Sequence, residues 1–298
     1  ARTRSGGSAV LVVKAATVSH PVVSAGENGS GAAVTSAAYY RKDGTPAFRR
    51  AEDGIHGYTR YVDGRLVEQI ADVILSGSFV AGDDPATDFG ITETSAGSDR
   101  TTTYAYDAQG RPDTVTLPDG RVRKTTYGRL ADERRVTLRY ADYDASPETF
   151  HGPVSYLVAN LAGKTEAQAT VALAGNESTT AVSGHVDETD DDPITAMDLG
   201  SVVRLSTMIH DQAGTMVQES RLYFEIPASG AGIDGTNYDA TTYAYNDLGM
   251  TARTVAPHGT IQRAEYDTLG RTVAQWMGTN DSDWDEGSPS GTDNMTKV

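Results

Sequence analysis

Short alternations of apolar and polar residues, bounded by turn-forming residues, run along much of this chain. Tyr104 and Tyr106 are separated by one residue, and the β-branched segment Thr114–Leu117 follows a cluster of Asp, Gly and Pro. A period of two predicts β-strands with one buried face, and clusters of Asp, Asn, Gly and Pro predict the turns between them. The sequence therefore predicts an all-β protein made of successive hairpins.

A 21-residue period organises these strands. The segment TTYAYDAQGR, which begins at Thr102, returns as TTYAYNDLGM, which begins at Thr241. Because two strands of about seven residues and two turns fill such a period, each repeat is predicted to be one hairpin with its connecting turn. The tyrosine pairs that show the 21-residue spacing are Tyr40 and Tyr61, Tyr106 and Tyr127, and Tyr245 and Tyr266.

Five segments share the pattern Asp/Asn-x-x-Gly, which is typical of a hairpin tip. In a type I turn, Asp or Asn accepts a hydrogen bond from the backbone two residues on, and Gly at the fourth position tolerates a positive φ and commonly precedes a bulge. The segments 118–120 and 257–259 predict the turns at the opposite ends of the strands. The five tips run from Asp107 to Gly110, Asn160 to Gly163, Asp211 to Gly214, Asn246 to Gly249, and Asp267 to Gly270.

The tyrosines are predicted to pack on the inner face of the sheet, because rings spaced by two along a strand are natural cross-strand partners. The alternative reading is a sugar-binding or catalytic role. The tyrosines in these positions are Tyr104, Tyr106, Tyr127, Tyr243, Tyr245 and Tyr266.

These residues resemble the YD repeat of bacterial RHS proteins, which are related to teneurins and to the C components of Tc toxins. The likeness is most explicit in Tyr104–Gly120 and Tyr243–Gly278, and it is weaker in Tyr40–Leu66, Leu157–Val171 and Met208–Glu219. It implies an extended antiparallel β-sheet strip, spiralling or shell-like. It also implies that tyrosines face the packed layer of a shell and that glycines close its turns. The residues concerned are Tyr106, Tyr245 and Tyr266, and Gly110, Gly249 and Gly270.

Two departures from the repeat predict irregular turns. Met250 stands where Arg111 and Arg271 stand in the matching segments, and Gly128 follows Tyr127 where an Asp is expected. The dipeptide 192–193 is Asp-Pro, but the residues after it do not match the carboxy-terminal autoprocessing motif of RHS proteins. No toxin domain is recognisable in the sequence.

Charge narrows the classes of partner. The 298 residues carry 25 Lys and Arg against 41 Asp and Glu, a formal net charge of −16. This charge repels phosphate backbones and anionic membranes, so nucleic acid is not an expected partner. The apolar run Ala9–Val13 is too short to span a bilayer, so no membrane span is expected. The absence of Cys rules out disulfides and is compatible with an extracellular or cell-surface location.

Candidate chemistry is sparse. Asp281, Asp283 and Asp285 alternate as calcium ligands do, although Gly and Glu are missing from the later positions of the calcium-loop pattern. An ordinary solvated loop is the alternative, and the same choice applies to the acidic run 187–192. The six histidines form no recognisable metal or nucleophile motif. No catalytic residue and no cofactor other than calcium is therefore expected.

Four segments are predicted. They are a β segment over 1–38 that continues from a preceding region, hairpins over 39–140, a divergent repeat with an acidic loop over 141–206, and hairpins over 207–298 that end within a repeat. The chain is thus expected to be cut from a longer array, whose flanking repeats, or further copies of the chain, cover its sheet edges.

The expected function is that of a non-enzymatic structural module of a large secreted or cell-surface RHS/YD-repeat protein, forming part of a β-shell, stalk or filament. Two alternatives stay open. The module is the wall of a cocoon around a toxin domain, or it is an adhesion module for surface glycan. The adhesion reading requires the rings of Trp276 and Trp284 to face solvent in one groove.

Overall fold

The computed structural model describes the chain in thirteen stretches. Among the described residues, the only helix is a short 3₁₀ turn at Ala25–Glu27, and no helix has the length and apolar character needed to cross a bilayer. The chain forms two compact units, Ala1–Arg123 and Lys124–Val298. The described residues are 2–3, 9–10, 15–22, 24–27, 31–41, 43–51, 56–72, 100–145, 148–173, 186–196, 200–282, 284 and 294–298.

The first unit is an antiparallel meander. Strands β1 and β2 pair with each other, and each strand from β3 to β8 pairs with the next one in the sequence. The strands are β1 (Arg2–Thr3), β2 (Ala9–Val10), β3 (Ala15–Ser19), β4 (Thr35–Tyr40), β5 (Pro46–Arg50), β6 (His56–Val62), β7 (Arg65–Ala71), β8 (Arg100–Tyr106) and β9 (Pro112–Thr116).

The second unit repeats the same plan. Each strand from β10 to β20 is antiparallel to the next. The strands are β10 (Val122–Arg129), β11 (Arg135–Ala145), β12 (Glu148–Ala159), β13 (Thr165–Leu173), β14 (Gly200–His210), β15 (Val217–Tyr223), β16 (Tyr238–Tyr245), β17 (Thr251–Val255), β18 (Ile261–Tyr266), β19 (Thr272–Gly278) and β20 (Thr296–Lys297).

This architecture confirms the predicted all-β fold, an extended antiparallel sheet of successive hairpins. Strands β8 and β9 with their turns, and strands β16 to β18 with theirs, reproduce the 21-residue period. The division into two units falls within the predicted hairpin region 39–140. The four predicted segments stay a prediction.

The core of the second unit lies on one face of β11 to β14. Leu138, Tyr156, Ala169 and Leu205 are paired in turn across these four strands, and all four are almost completely buried. Alternate residues on the long strands share this face, as the period of two requires. The row therefore joins four strands through side chains as well as through their backbones.

Removal of core volume is expected to destabilise this unit. Val171 is completely buried, so Val171→Ala should lower the free energy of unfolding by about 2 kcal/mol through lost burial and an unfilled space. Chemical denaturation followed by circular dichroism measures the change. Val203→Ala is the matched control, because Val203 is 57% exposed and its truncation should cost less than about 0.5 kcal/mol. Equal losses in the two variants would contradict this assignment of the core.

Candidate functional site

The turn that begins at Asp107 shows how the repeat closes. The Gly110 N–H donates to the Asp107 carbonyl and the Asp107 N–H donates to the Arg111 carbonyl, each at 2.9 Å. The Asp107 carboxylate accepts the N–H groups of Gln109 at 3.0 Å and of Arg111 at 2.8 Å. Gly110 has a φ of 81°, a left-handed value that glycine adopts without strain. The side chain and the glycine together fix a three-residue loop with a bulge.

The turns at Asp267 and Asp107 add an ion pair to this geometry. Arg271 Nε donates to Asp267 at 2.6 Å, and Arg111 Nε donates to Asp107 at 2.7 Å. The N–H of Arg271, and then its guanidinium, hold the pKa of Asp267 below its ordinary value. Both arginines are largely exposed, so each pair contributes little to stability and mainly orients the turn.

In the remaining three tips an Asn or Asp side chain also accepts backbone N–H groups. The acceptor is a neutral amide at two of these tips, and the third turn is one residue longer. The Asn160 side chain accepts the N–H of Lys164 at 2.8 Å, and the Asp211 N–H donates to Met216, one residue further along than in the other turns. The glycines at the fourth position of these tips have φ values between 71° and 81°. They are Gly163, Gly214 and Gly249.

The two departures from the repeat have different outcomes. At Met250 the expected irregularity is wrong, because the Asn246 N–H donates to the Met250 carbonyl at 2.9 Å and only the ion pair is lost. After Tyr127 the turn is displaced. Strand β10 continues through Gly128 to Arg129, and the turn forms at residues 130–134, where the Leu130 N–H donates to Arg134 at 2.9 Å.

Three tyrosines that end their strands, here called the closing tyrosines, make a contact that sequence reasoning missed. The hydroxyls of Tyr106, Tyr245 and Tyr266 donate to backbone carbonyls at the start of the preceding strand. The acceptors are Leu66 at 2.7 Å, Val217 at 2.7 Å and Thr251 at 2.9 Å. Each closing tyrosine therefore joins the two ends of a hairpin by a bond that is additional to the ladder. The signal in the sequence was the tyrosine directly before the turn.

A shift in strand register accompanies each closing tyrosine. The pairing slips between Ala105 and Tyr106, between Ala244 and Tyr245, and between Glu265 and Tyr266. A bulge inserts one residue and re-aims the side chain that follows. All six predicted tyrosines are half-buried rather than enclosed. Tyr104 and Tyr243 bond to side chains of the adjacent strand, namely Gln69 and Ser220, each at 3.2 Å.

The candidate calcium residue Asp281 lies between two arginines. Arg253 Nε and Arg263 Nε donate to the same Asp281 oxygen at 2.6 and 2.7 Å, and a second Arg253 nitrogen donates to the other oxygen at 3.0 Å. Asp283 and Asp285 lie outside the described residues, so calcium binding stays a prediction. Within the described part of the chain, no group of three or more His, Cys, Asp and Glu side chains is placed to hold a metal.

The two tryptophans do not form an open groove. Trp276 is only 7% exposed, and its ring meets the half-buried ring of Trp284 edge-on at a centroid distance of 4.8 Å. Arg263 stacks over Trp284 at 5.1 Å while it also binds Asp281. The expectation that both rings face solvent is therefore wrong, since Trp276 belongs to a small core with Ile261 and Met295.

The acidic run 187–192 is folded rather than merely solvated. The carboxylates of Asp187, Asp190 and Asp192 accept backbone N–H groups two residues further on, at 2.8 to 2.9 Å. Arg134 donates to the Asp191 carbonyl at 2.6 Å and fastens the loop to the sheet. These bonds use carboxylates as loop caps, as Asx turns do.

A cleft of about 870 Å³ lies beside this loop in the second unit. Its walls come from the acidic loop, from the turns that begin at Asn160 and Asp211, and from strands β14 and β15. Polar and charged residues stand beside apolar ones in its lining, which includes Leu205 and Ile194. Among the described residues that line this cleft, no nucleophile is hydrogen-bonded to a base.

Loss of a closing hydroxyl is expected to weaken the repeat. Tyr245→Phe removes the bond to the Val217 carbonyl and should lower the free energy of unfolding by about 1 kcal/mol, measured by urea denaturation. Tyr156→Phe removes the same atom at a buried position whose hydroxyl has no partner among the described residues. This control should lose no stability. A loss for Tyr156→Phe as large as that for Tyr245→Phe would contradict the role of the closing bond.

Asp281 should make the second unit sensitive to acid. Hydrogen bonding from Arg253, opposed by burial and assisted by Arg263, lowers the pKa of Asp281 from 3.8 to about 2. The unfolded state then binds the proton more readily, so this stabilisation is present above about pH 4 and is lost as the pH falls toward 2. Asp281→Asn should lose about 1 to 2 kcal/mol at pH 7 and flatten the dependence of stability on pH in that range.

Denaturation curves between pH 2 and pH 7 test this expectation. Asp247→Asn is the control, because Asp247 is an exposed residue of the Asn246 turn. An Asp281→Asn variant that keeps the acid sensitivity of the parent would overturn the assignment.

Comparison with known proteins agrees with the repeat geometry. The family model described as RHS Repeat matches residues 89–122, a range that contains the Asp107 turn and strand β9. No curated protein matches the chain.

Solved structures of low similarity include the TcdB2-TccC3 complex without its hypervariable C-terminal region, at 13% identity and a TM-score of 0.24, covering 82% of this chain and 14% of that one. The Photorhabdus luminescens Tc holotoxin pore is 10% identical with a TM-score of 0.22, covering 83% and 17%. The chain thus spans less than a fifth of the length of these proteins. The family match thus identifies residues 89–122 as similar to an RHS repeat, and the turns that begin at Asn246 and Asp267 repeat the hydrogen-bond geometry of the Asp107 turn in that range.

Proposed function

We propose that this chain is a non-enzymatic module in the wall of a β-shell, stalk or filament of a large secreted or cell-surface protein. The observation that carries the proposal is the closing bond, in which a strand-end tyrosine hydroxyl binds the start of the preceding strand. This bond occurs in both compact units and always joins sequence neighbours. A hydrogen bond that recurs between adjacent strands is expected in a repeat protein, in which each repeat contacts only its neighbours.

The use of polar residues also favours a structural role. The Asp and Asn side chains of the tips bind backbone N–H groups of their own turns, and Asp281 is held by two arginines. Carboxylates that close turns are already engaged, which leaves them poorly placed for acid-base chemistry. The Asp and Asn side chains that recur at the tips thus fix the conformation of the turns.

The short pairing at the end of the second unit indicates the partners. Strand β20 has only two residues and pairs with Trp276 and Met277 of β19. Backbone groups at the end of a sheet are normally paired or covered in a native assembly. Flanking repeats of the same polypeptide, or further copies of the chain, are the partners of matching geometry.

Electron microscopy of the intact parent protein tests the proposal. Hollow closed particles would support a shell and would point to the toxin-enclosing form, whereas threads of regular width would support a stalk or filament. In either case we expect images of one continuous β-structured particle in which many hairpins follow one another. Compact particles in which the repeats form separate globular domains would overturn the structural assignment. The buried Trp276 gives the glycan-adhesion alternative no support.

A further inference from the structure

Two large apolar side chains at the end of β15 stand side by side in solvent. Leu222 is 62% exposed and Phe224, which follows the strand, is 59% exposed, whereas Tyr223 between them is buried. Alternate residues of a strand point to opposite faces of its sheet, so Leu222 and Phe224 share the face that lies opposite the core. Val203 on the neighbouring strand β14 is also largely exposed. Single exposed apolar residues are ordinary, but a group of neighbours is typical of a contact surface.

The strand register places one charge on each side of this apolar pair. Ser206 of β14 pairs with Leu222. Two residues back along β14, in the same register, Arg204 lies opposite Phe224. On the other side of β15, Leu222 pairs with Asp239 of β16. The four side chains of Arg204, Leu222, Phe224 and Asp239 are here called the β15 patch.

The two charges of the β15 patch have no partner within the described part of the chain. Arg204 and Asp239 are both exposed, and neither side chain forms an ion pair or a hydrogen bond there. From the spacing of strands and residues in a sheet, their Cα atoms are about 12 Å apart, on either side of the apolar pair. The patch therefore presents an apolar centre, a cation at one end and an anion at the other.

Hydrogen bonds fix the end of β15 that carries the patch. The Phe224 N–H donates to the Asn237 carbonyl at 3.0 Å, and the Asn237 side chain accepts the Ile233 N–H at 2.9 Å. The Tyr223 hydroxyl donates to the Ala231 carbonyl at 2.7 Å. The loop after β15 is thus bound back to the strand. A surface that is ordered before it meets its partner loses less conformational entropy on binding.

We infer that the β15 patch binds the β15 patch of a second copy of this chain. A two-fold axis in the plane of the contact, passing between Leu222 and Phe224, brings Arg204 of each copy to Asp239 of the other. The apolar side chains then meet at the centre, and two ion pairs form at the rim. Contact between identical surfaces in this way is what an isologous dimer requires.

The charge pattern favours a second copy over other occupants of the patch. A lipid surface or a polyanion attracts a surface of one sign, whereas the β15 patch carries one charge of each sign in an order that is complementary to itself. The contact joins sheet faces and uses no strand edge, so the inference does not depend on how the repeats assemble. A surface of this size buries less than about 1,200 Å², so the association should be weak and concentration-dependent.

Sedimentation equilibrium of the 298-residue chain tests the inference. The concentrations should run from about 1 μM to about 1 mM, which covers dissociation constants typical of weak complexes. At a salt concentration of about 0.15 M, repulsion between two acidic chains is screened beyond roughly 8 Å. A reversible equilibrium between monomer and dimer is expected. A chain that stays monomeric over the whole range would overturn the inference.

A pair of matched variants locates the contact. Leu222→Glu places a charge at the apolar centre and should weaken dimerisation at least about tenfold. Leu248→Glu makes the same change at a hairpin tip, where Leu248 is 63% exposed, and should change it less than about twofold. Dimerisation that Leu222→Glu leaves unchanged would assign the contact to strand edges and refute the inference. Circular dichroism of both variants checks that the fold is unchanged.

Exchange of the two charges tests the orientation of the copies. Arg204→Asp makes the chain more acidic and Asp239→Arg makes it less acidic, so general repulsion between chains would shift dimerisation in opposite directions. The proposed contact instead requires that both single variants weaken it, each about fivefold, because each one sets like charges against each other at the rim. The double variant should regain the parent's affinity, since the exchanged charges pair again. A double variant as weak as the single ones would refute this contact.

Discussion

A β-strand is stable in water when backbone partners lie on both of its sides, and the two meanders of this fold follow from that requirement. A lone hairpin pairs one edge of each strand and leaves the other edge open, which makes it marginally stable in water. Here the strands within β3 to β9, and those within β10 to β20, pair with their sequence neighbours, so hairpins support one another in series. The turn residues matter because a slip of one residue would turn each side chain to the wrong face.

The closing tyrosine and the Asx turn that follows it both stabilise the end of the same strand. The carboxylate or amide of the tip residue accepts backbone N–H groups of the loop. The register shift beside it directs the preceding tyrosine side chain back along the hairpin. In Tyr245 that side chain reaches the carbonyl of Val217, 28 residues earlier. Local turn chemistry therefore sets a contact between strands. At His210, where the residue before the turn is not tyrosine, the turn still forms, and the residue lines a cleft.

Sequence reasoning reached the strands and the turns because both depend on local pattern. Asp107 with Gly110 specifies a loop through bonds within five residues, and the alternation around Tyr104 specifies a strand. The structure of the acidic run could not be predicted from local pattern, because its hydrogen bond to Arg134 joins segments 57 residues apart. Asp281 was similar. Its partners Arg253 and Arg263 lie on neighbouring strands, and the spacing of acidic residues gave no sign of them.

The tips differ in whether they can take up a proton. Asp107, Asp211 and Asp267 each have a pKa held below the ordinary value, whereas Asn160 and Asn246 make the same backbone bonds without any ionisable group. In strong acid the aspartate tips lose acceptor strength and the asparagine tips do not. A strip with both kinds of tip would loosen unevenly, keeping some joints as fixed points around which the remainder refolds once the acid is neutralised.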